Sequence, residues 1–122
     1  MTTKVLAIDD SRTIRSLLQA TLEEAGFEVH TAVDGEDGVE RFAEVLPDVV
    51  ITDINMPKLD GFGVIDRLRG GTVNRSVPIL VLSTESAATM KERAKKSGAT
   101  GWIVKPFDET TLVTVLRRVS AF

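Results

Sequence analysis

The chain has 122 residues, a formal net charge of -3 and 43% hydrophobic residues, which predicts one domain with a substantial apolar core. The acidic balance leaves no global basic surface, so nucleic acid is not expected as a direct partner. The absence of cysteine excludes a disulfide, a thiolate nucleophile and a thiolate metal site, and it fits a reducing compartment.

The first residues do not have the pattern of a targeting signal. Residues 1–4 lead directly into a four-residue apolar run, which is too short for a signal peptide or a membrane span. We therefore expect a cytoplasmic protein that does not bind a membrane.

Apolar strand-like runs alternate with segments of helical period from end to end of the chain, which predicts an α/β domain with five strands and five helices. Residues 5–8 are continuously apolar, which predicts an interior parallel strand, whereas residues 27–32 alternate and predict an edge strand. The first helix begins after Asp10 and Ser11 and ends at Gly26. Its apolar stripe consists of Ile14, Leu17, Leu18, Thr21, Leu22 and Ala25. The stripe of the second helix consists of Val39, Phe42, Ala43 and Leu46.

The second half continues this alternation and predicts three more interior strands, at residues 49–51, 79–82 and 102–104. The stripes of the third and last helices consist of Val64, Ile65 and Leu68, and of Leu112, Val115, Leu116 and Val119. The fourth helix, over residues 86–97, has a weaker stripe. It consists of Ala87, Met90 and Ala94. Because little apolar burial holds this helix in place, we predict that it is mobile.

Polar residues stand at the ends of four of the predicted strands. Asp9 and Asp10 follow the first strand, Asp53 follows the third, Ser83 follows the fourth run and Lys105 follows the fifth. Because the carboxyl ends of parallel strands meet at one edge of a sheet, these side chains are expected to converge. Clustered carboxylates repel unless a cation such as Mg²⁺ joins them, and an ammonium can hold a phosphate oxygen. The pattern predicts a metal-assisted phosphoryl site.

Each of these residues also has an ordinary structural interpretation. Asp10 is a candidate cap for the first helix, and Asp53 is a candidate turn residue before Asn55. Ser83 and Lys105 are polar residues of a kind that often ends a strand. The combination of residues, rather than any one of them, favours the phosphoryl site.

Four segments together resemble the signature blocks of the response-regulator receiver domain. They are Ile8-Asp9-Asp10-Ser11, Thr52-Asp53-Ile54-Asn55-Met56-Pro57 with Asp60-Gly61, Val81-Leu82-Ser83-Thr84-Glu85, and Val104-Lys105-Pro106-Phe107. The resemblance covers the whole chain and is strongest to single-domain chemotaxis regulators of the CheY type. It implies a doubly wound, flavodoxin-like parallel sheet with strand order 2-1-3-4-5 and five helices. It also implies a receiver domain over residues 1–122 with no output domain.

The resemblance implies roles for the site residues. Asp53 is expected to be the phosphoacceptor, and Lys105 and Ser83 are expected to contact the phosphoryl oxygens. The cofactor is expected to be Mg²⁺. Its ligands would be Asp9, Asp10, Asp53 and the backbone carbonyl of Asn55.

Further positions near the site are expected to modulate it. Asn55 and Glu85 would flank the water that hydrolyses the phosphoryl group. Trp102 stands where the family commonly has a Tyr or Phe that swings inward, and its larger indole has an N–H that needs a partner. The family usually holds the bond before Pro106 in cis, although sequence alone favours trans. His30 is expected at the surface, away from the site.

The implied function is two-component signal transduction. A histidine kinase of the chemotaxis type would phosphorylate Asp53, and the protein would then bind a target, most directly the flagellar motor switch. The target would contact the fourth helix, fifth strand and last helix, where Lys91, Lys95, Arg117 and Arg118 form either a basic docking face or a merely solvated one. We expect a monomer, and no enzyme activity beyond its own phosphorylation and dephosphorylation.

Three alternatives stay open at this point. A phosphate sink or phosphorelay intermediate would share the kinase but bind no target. A phosphatase of the haloacid dehalogenase type also uses an Asp nucleophile with Mg²⁺, but it expects Asp-x-Asp after the first strand rather than the adjacent Asp9 and Asp10. A nucleotide- or flavin-binding module is disfavoured, since residues 9–12 stand in place of a glycine-rich phosphate loop.

Overall fold

The computed structural model describes residues 2–121, so Met1 and Phe122, the ends of the predicted domain, lie outside the described residues. Strands and helices alternate along this range. They are β1 (Lys4–Ile8), α1 (Arg12–Glu24), β2 (Glu28–Ala32), α2 (Gly35–Val45), β3 (Val49–Thr52), α3 (Gly61–Gly70), β4 (Ile79–Ser83), α4 (Ala88–Ser97), β5 (Gly101–Val104) and α5 (Glu109–Val119). None of the helices between residues 2 and 121 is long and apolar enough to cross a membrane.

The strands form one parallel sheet in the order β2-β1-β3-β4-β5, which confirms the predicted fold and the edge position of the second strand. The prediction of an interior strand at residues 102–104 is wrong. β5 is the other edge strand and pairs with β4 on one side, so Trp102 and Ile103 are only partly buried and Val104 is exposed. Trp102 and Ile103 pack against the cores on the two faces of the sheet, so the apolar run of β5 does not indicate a strand on each side.

Apolar side chains form one core on each face of the sheet. Along β1, Leu6 and Ile8 belong to the core that includes residues of α2, α3 and α4, whereas Val5 and Ala7 belong to the core with α1 and α5. Successive strand residues point to opposite faces, so a strand covered on both faces needs an unbroken apolar run. This requirement explains why the central strands were recognisable in the sequence.

Two predicted helix stripes are wider than the buried faces. Leu17 on α1 and Leu46 after α2 are 43% and 53% exposed, and Ala43 is exposed as well. Successive helix residues point about 100° apart, so Leu17 lies beside the buried line that contains Leu18. Leu46 is the residue that caps α2 in the left-handed conformation, with φ of 53°, and its side chain leaves the helix face.

Side-chain caps begin four of the helices in the described range. Ser11, Asp34, Asp60 and Asp108 each accept the backbone N–H of the residue three positions later. Each cap satisfies one of the free N–H groups of the first helical turn. These four helix starts are therefore specified locally by the sequence.

The remaining helix, α4, is more weakly attached. Its N-cap residue is Ala87, whose side chain makes no cap hydrogen bond, and the helix starts two residues later than predicted. Ala94 is its buried residue, and Met90 packs partly against the core. The prediction that little burial holds α4 is confirmed, while its mobility stays a prediction.

Candidate functional site

The carboxyl ends of β1, β3 and β5 bring three charged side chains into contact. Lys105 Nζ donates to Asp9 Oδ2 at 2.8 Å and to Asp53 Oδ2 at 2.9 Å. β1 and β3 are neighbours in the sheet, whereas β5 is separated from β3 by β4. The Lys105 side chain therefore crosses the end of β4. At the same strand end, the backbone N–H of Lys105 donates to the Ser83 carbonyl at 2.8 Å.

This charged group is largely buried, with side-chain exposures of 10% for Lys105, 2% for Asp9 and 12% for Asp53. Burial on its own lowers the pKa of Lys105, but the hydrogen bonds and charges of the two carboxylates outweigh burial and raise it. Burial raises the pKa of Asp9, and hydrogen bonds from Lys105 and Ser11 oppose this increase only in part. At neutral pH Lys105 is therefore a fixed positive charge between two acids.

Asp10 is the exposed member of an acidic cluster. Carboxylate oxygens of Asp9, Asp10 and Asp53 lie within 4.8 Å of one another. The cap of α1 is Ser11, whose hydroxyl accepts the Ile14 N–H at 3.3 Å, so Asp10 does not cap this helix. Hard oxygen donors, one of them open to solvent, match the preference of Mg²⁺ for oxygen ligands and retained waters. The residues present therefore fit the ion that the resemblance implies.

Backbone contacts hold Asp53 at the start of the loop between β3 and α3. Its N–H donates to the Ile8 carbonyl at 3.0 Å, and its Oδ1 accepts the N–H of Ile54. Gly61 donates its N–H to the Ile54 carbonyl at 2.8 Å. A Cβ at position 61 would collide with the carbonyl oxygen of Asp53, so only glycine allows this close approach.

A second group of predicted residues is centred on Glu85, just beyond β4. The Glu85 N–H donates to the buried Ser83 hydroxyl at 3.2 Å, and Asn55 Nδ2 approaches Glu85 Oε1 at 3.5 Å. Trp102 Nε1 donates to the Glu85 carbonyl at 2.9 Å, which provides the partner that its indole requires. The two groups are connected through the backbone hydrogen bond between Lys105 and Ser83.

Two remaining expectations concern Pro106 and His30. The Lys105–Pro106 bond is cis, as the resemblance implies and against the local preference for trans. His30 lies on the edge strand β2 in register with Leu6, and it pairs with Glu28 at 2.7 Å. It is half-buried beside this partner and is not among the acidic cluster residues.

Sequence reasoning missed two contacts that hold Asp9. The Ser11 N–H donates to Asp9 Oδ1 at 2.9 Å, and Arg15 Nη1 donates to the Asp9 carbonyl at 2.7 Å. Ser11 is recognisable in the sequence only as a helix cap. The sequence alone gives no reason to choose Arg15 rather than Arg12 as the partner of Asp9, because only the fold shows which side of α1 faces the end of β1.

The response regulator receiver domain family matches residues 5–117 of the chain. The chain belongs to this family. As a receiver domain it is similar to Protein PilH of Pseudomonas aeruginosa, with 36% identity over 118 residues that cover 97% of this chain and 98% of PilH. In structure it is similar to chemotaxis protein CheY4 of Vibrio cholerae, with a TM-score of 0.93, 43% identity and coverage of 98% and 99%.

Some relatives of this receiver domain are longer. The protein named Probable transcriptional regulator ycf27, of Guillardia theta, is 40% identical over 121 residues, which cover 96% of this chain but 46% of that protein. The chain thus spans about half the length of ycf27. The prediction of a receiver domain over residues 1–122 with no output domain stays a prediction.

Receiver domains are signalling regulators rather than classical enzymes. The family assignment therefore favours the receiver interpretation over a haloacid dehalogenase phosphatase and over a nucleotide- or flavin-binding module.

Proposed function

We propose that this receiver domain accepts a phosphoryl group from a histidine kinase on Asp53 in a Mg²⁺-dependent reaction. The observation that carries the proposal is the Lys105 ammonium, which contacts the carboxylates of both Asp9 and Asp53. A buried cation beside the acceptor supplies positive charge where the phosphoryl oxygens would arrive. Asp53 lies at the carboxyl edge of the sheet beside the exposed Asp10, and a partner phosphohistidine would approach from this side.

In the proposed step an Asp53 carboxylate oxygen attacks the phosphorus of the kinase phosphohistidine. A P–O bond forms while the P–N bond breaks, and the electron pair of the P–N bond leaves with the histidine nitrogen. Lys105 then pairs with one phosphoryl oxygen, and Ser83, whose oxygen accepts the Glu85 N–H, donates its own O–H to another. Bound Mg²⁺, held by the acidic cluster and the Asn55 carbonyl, would neutralise charge on these oxygens.

We assign Asn55 and Glu85 to the hydrolysis that ends the signal. Their side chains approach to 3.5 Å from two different loops, after β3 and after β4. Polar groups placed there can orient or hinder the water that attacks the phosphoryl group on Asp53. Their identities would therefore set the phosphorylation lifetime.

The proposed target surface consists of α4, β5 and α5. Lys91 and Lys95 line a cavity of about 210 Å³ beside Trp102, and this basic, partly apolar lining suits an acidic amphipathic peptide. Arg117, which the sequence suggested for the same face, instead donates to the Ala25 carbonyl at the end of α1, at 3.0 Å. The proposed basic face therefore loses Arg117 and consists of Lys91, Lys95 and the exposed Arg118.

The proposed partners are a histidine kinase of the chemotaxis type and the flagellar motor switch. The similarity to a chemotaxis protein, CheY4, supports this choice. A phosphate sink or phosphorelay intermediate is the alternative, since it would use the same acidic site without a target. A cytoplasmic location and a monomeric state are part of the same proposal.

Phosphotransfer from radiolabelled histidine kinases tests the site. We expect label on the wild type and on the matched control Asp66→Asn, which changes an exposed aspartate of α3, but none on Asp53→Asn. Chelation of Mg²⁺ should stop the transfer. Label that persists on Asp53→Asn would rule out the phosphoacceptor assignment, and transfer in the presence of chelator would rule out the role of Mg²⁺.

Capture of a flagellar switch peptide tests the output. We expect stronger capture by wild type with beryllofluoride and Mg²⁺ than without them, and reduced capture by a Lys91→Ala, Lys95→Ala double variant. Arg117→Ala, on the α1 side, serves as the control and should bind like wild type. Equal capture with and without the phosphoryl mimic would exclude phosphorylation-dependent docking and favour the sink.

A further inference from the structure

Every polar atom of Asp9 has a partner within the protein. Its backbone N–H donates to the Ala32 carbonyl at 3.2 Å, and its two carboxylate oxygens accept from Ser11 and Lys105 at 2.9 and 2.8 Å. The fourth atom, the backbone carbonyl oxygen, accepts from Arg15 Nη1 at 2.7 Å. This last contact is the one that neither helix capping nor phosphoryl chemistry explains.

The Asp9 carbonyl belongs to the peptide unit that joins Asp9 to Asp10. A peptide unit is planar, so a bond that fixes its oxygen also fixes the direction in which the Asp10 residue begins. Asp10 is exposed, whereas Asp9 is buried and held on all sides. The direction of the Asp10 carboxylate therefore depends on this backbone plane more than on contacts of its own side chain.

We propose that Arg15 is a positioning residue for the metal site. Its guanidinium, anchored on the partly buried side of α1, orients the Asp9–Asp10 peptide so that the Asp10 carboxylate stays near those of Asp9 and Asp53. Ligands that are already oriented lose less conformational freedom when an ion binds, so the site binds the ion more tightly. This inference rests on the proposed Mg²⁺ site.

The charge of Arg15 acts in the opposite sense. A guanidinium close to an acidic cluster repels a second cation, so its removal should tighten Mg²⁺ binding if charge is all that matters. Loss of orientation should weaken Mg²⁺ binding instead. Weaker Mg²⁺ binding after the loss of Arg15 therefore indicates a positioning role, whereas tighter binding indicates charge repulsion alone.

The experiment is a calorimetric Mg²⁺ titration of the metal-free full chain, without kinase or phosphoryl donor. We expect the dissociation constant of Arg15→Met to rise roughly tenfold, in the range found when groups that orient metal ligands are removed. Arg15→Lys retains a charged donor, and one nitrogen makes the present contact, so it should recover part of the affinity. The matched control is Arg12→Met, an exposed arginine three residues earlier on α1, which should bind Mg²⁺ as tightly as wild type or slightly more tightly.

The outcomes distinguish the inference from the function on which it rests. Arg15→Met that binds Mg²⁺ as tightly as Arg12→Met would overturn the positioning role of Arg15 and leave the metal site intact. A wild type that does not bind Mg²⁺ would overturn the proposed metal site itself. Urea unfolding confirms that each variant is folded. If Arg15→Met does not fold, Arg15→Gln replaces it, and its Mg²⁺ affinity is compared with that of Arg12→Met in the same way.

Discussion

Lys105 balances charge that the fold has concentrated in a small volume. Two largely buried carboxylates share its ammonium, and each of the two contacts is a short, charge-assisted hydrogen bond. Leaving Asp9 and Asp53 without this cation would leave buried negative charge uncompensated. The same residue thus stabilises the resting fold and, in the proposed phosphotransfer, would pair with a phosphoryl oxygen.

The raised pKa of Lys105 predicts a stability difference that depends on pH. A lysine whose pKa is higher in the folded than in the unfolded protein stabilises the fold fully below its ordinary value of 10.5, and this stabilisation is lost as pH rises through the folded value. We expect the gap in unfolding free energy between wild type and Lys105→Met to be constant at neutral pH and to narrow above about pH 10.5.

Urea unfolding at a series of pH values measures this gap. Lys96→Met is the control, because Lys96 is highly exposed on α4. The difference in unfolding free energy between Lys96→Met and wild type should stay small at every pH. A Lys105 gap that does not change up to the alkaline limit of the fold would contradict the stabilising role of the ammonium.

At the scale of secondary structure, α4 is held at one end. Its first turn has no side-chain cap, whereas the Gly98 carbonyl at its other end accepts two hydrogen bonds from Arg69, from Nε at 3.0 Å and Nη2 at 2.8 Å. Arg69 Nη1 also donates to the carbonyls of Arg75 and Val77 before β4. One guanidinium therefore ties the end of α4 to α3 and to the loop that leads into β4.

Replacement of Arg69 should weaken this attachment. Arg69→Met leaves three backbone carbonyls without their charged donor, and we expect a loss of about 2–3 kcal/mol in unfolding free energy together with faster amide exchange in α4. Arg67→Met, an exposed arginine of the same helix, should change stability by roughly 0.5 kcal/mol or less. Equal stability of the two variants would show that Arg69 does not anchor α4.

For the whole molecule, a short series of hydrogen bonds leads from the acidic site to the edge strand β5. Glu85 contacts Asn55 and Ser83 beside the site, and its carbonyl accepts the indole N–H of Trp102 on the edge strand β5. β5 has a strand neighbour on one side only, and α4 has little buried surface. The proposed target surface thus includes an edge strand and a helix with one buried residue.

Trp102 is the sole tryptophan and reports on this series of hydrogen bonds. If phosphorylation rearranges the loop after β4, the hydrogen bond from Trp102 to the Glu85 carbonyl changes, and we expect beryllofluoride with Mg²⁺ to shift the fluorescence emission of the wild type. Asp53→Asn should show no shift. Unchanged emission of the wild type, with beryllofluoride binding established by fluorine NMR, would exclude a response of Trp102.

Local patterns in the chain were enough to locate most elements and the acidic positions. Apolar runs of three or four residues mark β1, β3 and β4 because both faces of these strands are buried, and Ser11 marks the start of α1 because a cap bonds within its own turn. The family motifs add the order of the strands. All of these signals depend on residues that are near one another in the sequence or on a shared ancestral pattern.

Contacts between distant segments required the folded chain. The run at residues 102–104 could not reveal that β5 has one strand neighbour. The strand ends predicted that Lys105 would approach Asp9 and Asp53, but not that its ammonium would bond directly to both carboxylates. The same is true of Arg15, whose partner Asp9 depends on how α1 is placed against β1. Composition and periodicity specify which face of an element is buried, but hydrogen-bond partners depend on distances that exist only after the sheet and helices have assembled.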